Sequence, residues 1–207
     1  MNQTGNPMDA LNQYLSTIII IIVIVLIVFA IVWMIVKAVA IRNHLVALSV
    51  SVDSSFAQIA TELQRRYDLI PNLVAAVKGY AAHESGTFEK VTEARNLLGK
   101  AMGSGDAEKV AQAEADWSQA RLAINAVAEN YPNLQASTNF LSLQEELTNS
   151  ENKVAACRHS YNDVVKDYNI GVETFPANII AGLSGFHKRS MFDVESDAAK
   201  HRPTVEF

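Results

Sequence analysis

The stretch Ile18 to Val36, IIIIIVIVLIVFAIVWMIV, is nineteen consecutive residues without a charge, an amide, a hydroxyl, a glycine or a proline. At about 1.5 Å of rise per residue, a helix of that length covers roughly 28 Å, close to the ~30 Å hydrocarbon core of a bilayer. Only a helix satisfies all its backbone polar groups within one segment in lipid. The stretch is therefore expected to span a membrane. A buried core helix of the same composition needs protein on every side, and 207 residues are too few to provide it.

The rest of the composition excludes several classes. Net charge is −5, both signs are interspersed after residue 37, and no run of Lys or Arg resembles a nucleic-acid surface. A single cysteine, Cys157, rules out an internal disulfide. Ala38-Val39-Ala40 has the form of a signal-peptidase site, but no Lys or Arg precedes Ile18 and the apolar run exceeds an ordinary signal core. An uncleaved anchor is expected. Lys37 and Arg42 follow the span, against Asp9 before it, so the positive-inside rule places the N-terminus outside and the rest in the cytoplasm. Tyr14 and Trp33 sit near the two ends of the run as interfacial anchors.

Beyond the span, apolar residues recur at helical spacing from Leu45, Leu48, Val52 and Phe56 through Ile70, Leu73, Val77 and Tyr80. The phase survives Pro71, so a continuing, kinked helix to about His83 is expected, with two helices meeting at Asp68–Pro71 as the alternative. Residues 84–87 read as a turn, followed by a helical stripe from Phe88 to Met102. Gly103-Ser104-Gly105 breaks it, Asp106 is placed to cap the next helix, and Pro132 ends that one. Phe140, Leu147, Val154, Tyr161 and Tyr168 then recur every seven residues, a repeat that favours left-handed helix packing. The short connection at Pro132 predicts that this helix runs antiparallel to its predecessor. Phe175 to Phe186, interrupted by Pro176, reads as a short helix folded onto the bundle or lying at the membrane surface. The expected class is all-α, an N-terminal transmembrane helix followed by an antiparallel bundle of long helices. Its parts are residues 1–17, the span 18–36, a bundle over 37–186, and a poorly ordered or partner-dependent tail over 187–207.

Polar residues on apolar faces carry the remaining information. Arg66 lies in the first stripe, Glu151 and Arg158 in the seven-residue one, with Asn152, Asn162 and Asn169 beside them. Buried charges persist only when paired, so these six are expected to form a structural network fixing helix register. The sharper alternative, a carboxylate site for a metal or for acid–base work, lacks the Glu-x-x-His step of bundle metal sites. His44, His83, His159, His187 and His201 are scattered, Cys157 reads as a core residue, and no hydrolase or kinase motif occurs. No catalytic residue, cofactor or metal is assigned.

The motifs Arg65-Arg66-Tyr67-Asp68-Leu69-Ile70-Pro71-Asn72-Leu73-Val74, Tyr80-Ala81-Ala82-His83-Glu84 and Glu129-Asn130-Tyr131-Pro132-Asn133-Leu134 resemble the LemA family. So do Asn139-Phe140, Leu143-Gln144-Glu145-Glu146-Leu147, Glu151-Asn152, Arg158, the repeated Tyr161-Asn162 and Tyr168-Asn169, and Phe175-Pro176. The resemblance implies a bacterial single-pass protein of the cytoplasmic membrane with a helical bundle facing the cytoplasm and no established enzymatic activity. The expected function is a scaffold whose copies self-associate through spans and bundle flanks to organise or curve the bilayer. Phe56, Trp117 and Phe186 are the apolar surface expected to exceed what one thin bundle covers. An adaptor or sensor whose tail and bundle engage a membrane protease or envelope-stress signalling protein is the alternative. The partners expected are the lipid bilayer, further copies of the chain and a membrane protein, with no nucleic acid.

Overall fold

The computed structural model describes residues 7–192, and every element among them is an α-helix. The first, α1 (Pro7–Lys78), runs 72 residues without a break, about 108 Å at ~1.5 Å per residue. It has no glycine until Gly79, where the chain turns. Pro71 lies inside it, so the continuing helix is found rather than two helices meeting at Asp68. It stops at Lys78 rather than His83, and Tyr80, expected on its buried stripe, is exposed in the turn.

Helix α2 (Ser85–Met102) leads through Gly105, at φ 66°, into α3 (Ala107–Asn130). Asp106 caps α3 by accepting a hydrogen bond from the Glu108 amide at 3.0 Å. Pro132 opens the single turn α4 (Pro132–Gln135), where its missing N–H leaves nothing unsatisfied. Next come α5 (Thr138–Glu173) and the short α6 (Ala177–Ser184), which ends at Gly185 in the left-handed conformation. Pro176 precedes α6 as its cap residue.

Helix α1 packs against α5 on one side and α2 on the other, and α3 packs on α2. The pairs run antiparallel. Gly171 of α5 meets Leu45 and Leu48, and the Ser150 hydroxyl donates to the Glu62 carbonyl, so α5 descends as α1 rises. Tyr67 meets Gly99 and Lys78 meets Phe88, which sets α2 antiparallel as well. The α5 heptad Phe140, Leu147, Val154, Tyr161 and Tyr168 is buried throughout. Its main partner is α1, and α3, the preceding long helix, reaches it chiefly through polar side chains.

The α2–α3 hairpin covers only the half of α1 remote from the span, since Gly99 is already level with Tyr67. Nearer the span, the groove between α1 and α5 is filled by residues 186–192, which run extended along α5. This corrects the expectation for 187–192, which are held against the bundle, while 193–207 lie outside the described residues. A second correction concerns the apolar surface. Trp117 is 0% exposed, so a single copy covers it fully, and Phe56 and Phe186 are half-buried against the core.

Candidate functional site

The buried charges form a tie across three helices. Glu114 of α3, 9% exposed, receives Arg66 Nη1 of α1 on Oε1 at 2.9 Å and Arg158 Nη1 of α5 on Oε2 at 2.9 Å. One turn pair further along α3, Arg121 Nη1 donates to Glu151 Oε2, and its Nη2 donates to Thr148 Oγ1 at 2.9 Å. Gln144 then donates to Asn125 Oδ1 at 3.2 Å. The three steps 114/158, 121/151 and 125/144 run in opposite directions along the two helices, which fixes their antiparallel register. Arg66 Nε, Trp117 Nε1 and Arg121 Nε are buried donors without an acceptor among the described residues, so the network carries a desolvation cost beside its ion pairs.

Glu114 and Arg121 are absent from the residues singled out in the sequence, although a signal for them existed. They stand seven residues apart, acid before base, as do Glu151 and Arg158. Two such pairs on antiparallel helices match acid to base at both ends. Asn152, expected in the same network, faces solvent.

Asn162 and Asn169 take a different part. The Asn162 side chain accepts from the Phe192 amide at 2.8 Å and donates to its carbonyl at 2.9 Å. Asn169 does the same to Arg189, both bonds at 2.9 Å. Tyr161 and Tyr168 donate their hydroxyls to the carbonyls of Ser190 and His187, at 3.1 and 2.9 Å. The repeat has a geometric reason. Seven helical residues rise about 10.5 Å, and three extended residues advance about 10 Å, so each Tyr-Asn pair meets an equivalent backbone position three residues on. The clasp closes on Phe192, which stacks edge-on to Tyr161 at 5.2 Å, with the Arg158 guanidinium over its ring at 4.9 Å. Burial pushes the Tyr161 phenol above its ordinary 10.0, with Arg189 opposing and Asp53 and Asp106 adding to the rise.

Pro71 has its own partner. A proline at 71 cannot donate to the carbonyl of Tyr67, four residues back. Arg95 Nε of α2 donates to that carbonyl at 3.2 Å, while its guanidinium stacks on the Tyr67 ring at 3.8 Å. The helix continues through Pro71 because a neighbouring side chain replaces the lost N–H.

Chemically, these arrangements hold elements together. The Glu114 and Glu151 carboxylates face guanidinium groups, His44, His83, His159 and His187 are exposed, and Cys157 is half-buried against the core. His201 lies outside the described residues. Among the described residues no group of three or more His, Cys, Asp or Glu side chains converges.

One helix long and apolar enough to cross a membrane, continuous with an antiparallel helical bundle tied by internal charge, defines a membrane-associated helical-bundle protein. The LemA family profile matches residues 55–207, well over half of the chain, and the chain belongs to the LemA family. Among curated proteins it is similar to magnetosome proteins MamQ 2 and MamQ 1 of Paramagnetospirillum magneticum, each 24% identical over 173 residues, covering 72% of this chain and 64% of theirs. Protein LemA of Metamycoplasma hominis is 24% identical over 153 residues, covering 73% of this chain and 68% of its own. The match thus takes in less than two thirds of the length of the two magnetosome relatives.

Proposed function

We propose that this protein is a non-enzymatic scaffold of the bacterial cytoplasmic membrane, anchored by Ile18–Val36 with its bundle on the cytoplasmic side. Copies associate along α1 and so organise or curve the bilayer. The observation that carries this reading is on α1 just beyond the span. Val39, Val46 and Val50 are exposed, spaced 7 and 4 residues apart on one helical face, and continuous with the bare Ile/Val span. The span has no polar side chain for transport. Similarity to proteins named for the magnetosome and for LemA supports a membrane-associated role. Orientation follows from Lys37 and Arg42 against Asp9.

The adaptor alternative loses part of its surface, because residues 187–192 are engaged by the Tyr-Asn clasp of their own chain. Cross-linking tests the scaffold. With Cys157→Ala as background, Val46→Cys in full-length protein reconstituted in vesicles should give intermolecular disulfides, and the triple change of Val39, Val46 and Val50 to Ser should lower self-association. Protein that stays monomeric over a wide range of protein-to-lipid ratios would defeat the proposal.

A further inference from the structure

We infer that α6 is a second membrane contact, a short helix lying in the headgroup layer beside the root of the span. The geometry is set by α1. Ala38, Ile41, Leu45 and Leu48 share one face of that helix, with Ala38 and Ile41 half-buried and Leu45 fully buried. Gly171 of α5 is already level with Leu45 and Leu48, and α5 ends two residues later at Glu173. Cover for Ala38 and Ile41 therefore falls to the segment that follows, and α6 packs against both α1 and α5. Ala38 is two residues past the end of the apolar run and Leu45 nine, which puts them about 3 Å and 13 Å above the edge of the hydrocarbon core. The headgroup layer, on the order of 5–8 Å per leaflet, takes in the level of Ala38 and Ile41, and Leu45 lies beyond it.

Helix α6 buries Ala181 inward and turns an apolar face outward. Leu183 is 83% exposed, Phe175 in the preceding turn 75%, and Ile179 54%. Ile179 and Leu183 stand four residues apart on α6, and at Gly182 between them there is open space. No part of the bundle among the described residues covers this face. The interface accommodates the apolar face of a short helix whose other side is packed on protein, as Ala181 is here. The contact is apolar in origin. Lys188 and Arg189, the nearby basic residues, are engaged by Glu173 and Asp53. The occupant is the bilayer surface itself, because the face is continuous with the lipid that the span requires.

The inference needs the span to lie in lipid and does not need self-association, so it stands or falls apart from the scaffold reading. Spin labels placed by Ile179→Cys and Leu183→Cys in full-length Cys157→Ala protein, in phosphatidylcholine vesicles at low protein-to-lipid ratio, test it. Both labels should collide several-fold more often with oxygen than with a water-soluble nickel chelate, and raising the salt should not change this. A label at Leu122, 68% exposed on α3, should show the reverse preference. Circular dichroism keeps misfolded variants out of the comparison. A Leu183 label as open to the nickel chelate as the Leu122 label would overturn the inference. So would spin–spin broadening at position 183 that persists on dilution in lipid, since a second copy would then occupy the face.

Discussion

Glu114 shows how one side chain decides the arrangement of three helices. Its two oxygens each accept a guanidinium, and Arg66 beneath it is only 2% exposed. Breaking a buried pair by removing one partner leaves an uncompensated charge, a loss of about 3–5 kcal/mol. Glu114→Gln should therefore lower stability by that order in denaturant titrations, while Glu114→Gln with Arg66→Met should recover part of it. Tyr161 adds a pH dependence. Its folded value is raised, so the neutral phenol is the form that the fold favours. The stabilisation is complete below the ordinary 10.0 and is lost as pH rises through the raised folded value. Tyr161→Phe should lose the hydrogen bond to Ser190, about 1 kcal/mol, and show a shallower fall in melting temperature above pH 10. At this scale Arg66, Glu151 and Arg158 were legible because a charge interrupts an apolar period. Glu114 interrupts no apolar stripe of its own, and only the seven-residue spacing it shares with Arg121, matched by Glu151 and Arg158, points to it. The clasp was half legible: the Tyr-Asn repeat is periodic, but the segment it holds offers only backbone and leaves no pattern.

Among the elements, α1 poses the sharpest problem, a proline seven residues from the end of a helix that does not break. Unbroken apolar phase across Pro71 is enough to infer the continuation. What permits it cannot be read locally, because Arg95 is 28 residues from Tyr67 and reaches it only after α2 folds back. A double-mutant cycle isolates the effect. Arg95→Met should cost more with Pro71 present than in Pro71→Ala, where the restored amide takes the Tyr67 carbonyl. A coupling of about 1 kcal/mol, within the 0.5–3 kcal/mol range for residues sharing one network, is expected from unfolding midpoints. The ring stack of Arg95 on Tyr67 is lost in both backgrounds and cancels. Zero coupling would mean that Arg95 acts through the ring alone. Gly99 belongs to the same contact, since a Cβ there would stand 3.1 Å from the Tyr67 ring.

At the scale of the molecule, α1 joins the lipid to the far end of the bundle without a hinge, so rotation of the span is rotation of everything packed on it. This gives self-association a phase. Each inserted residue turns the helix by about 100° and raises it by ~1.5 Å. Two alanines inserted after Val36 should swing the face of Val39, Val46 and Val50 by about 200° relative to the span. Seven alanines return it to within ~20° of its starting direction, though about 10 Å higher. If copies pair through span and bundle root together, the two-residue insertion should abolish cross-linking at position 46 and the seven-residue insertion should retain it. The bundle, which begins beyond the insertion, should keep its melting temperature in both. Equal cross-linking in the two variants would show that the span or the bundle associates alone, and that the stiffness of α1 has no part in assembly.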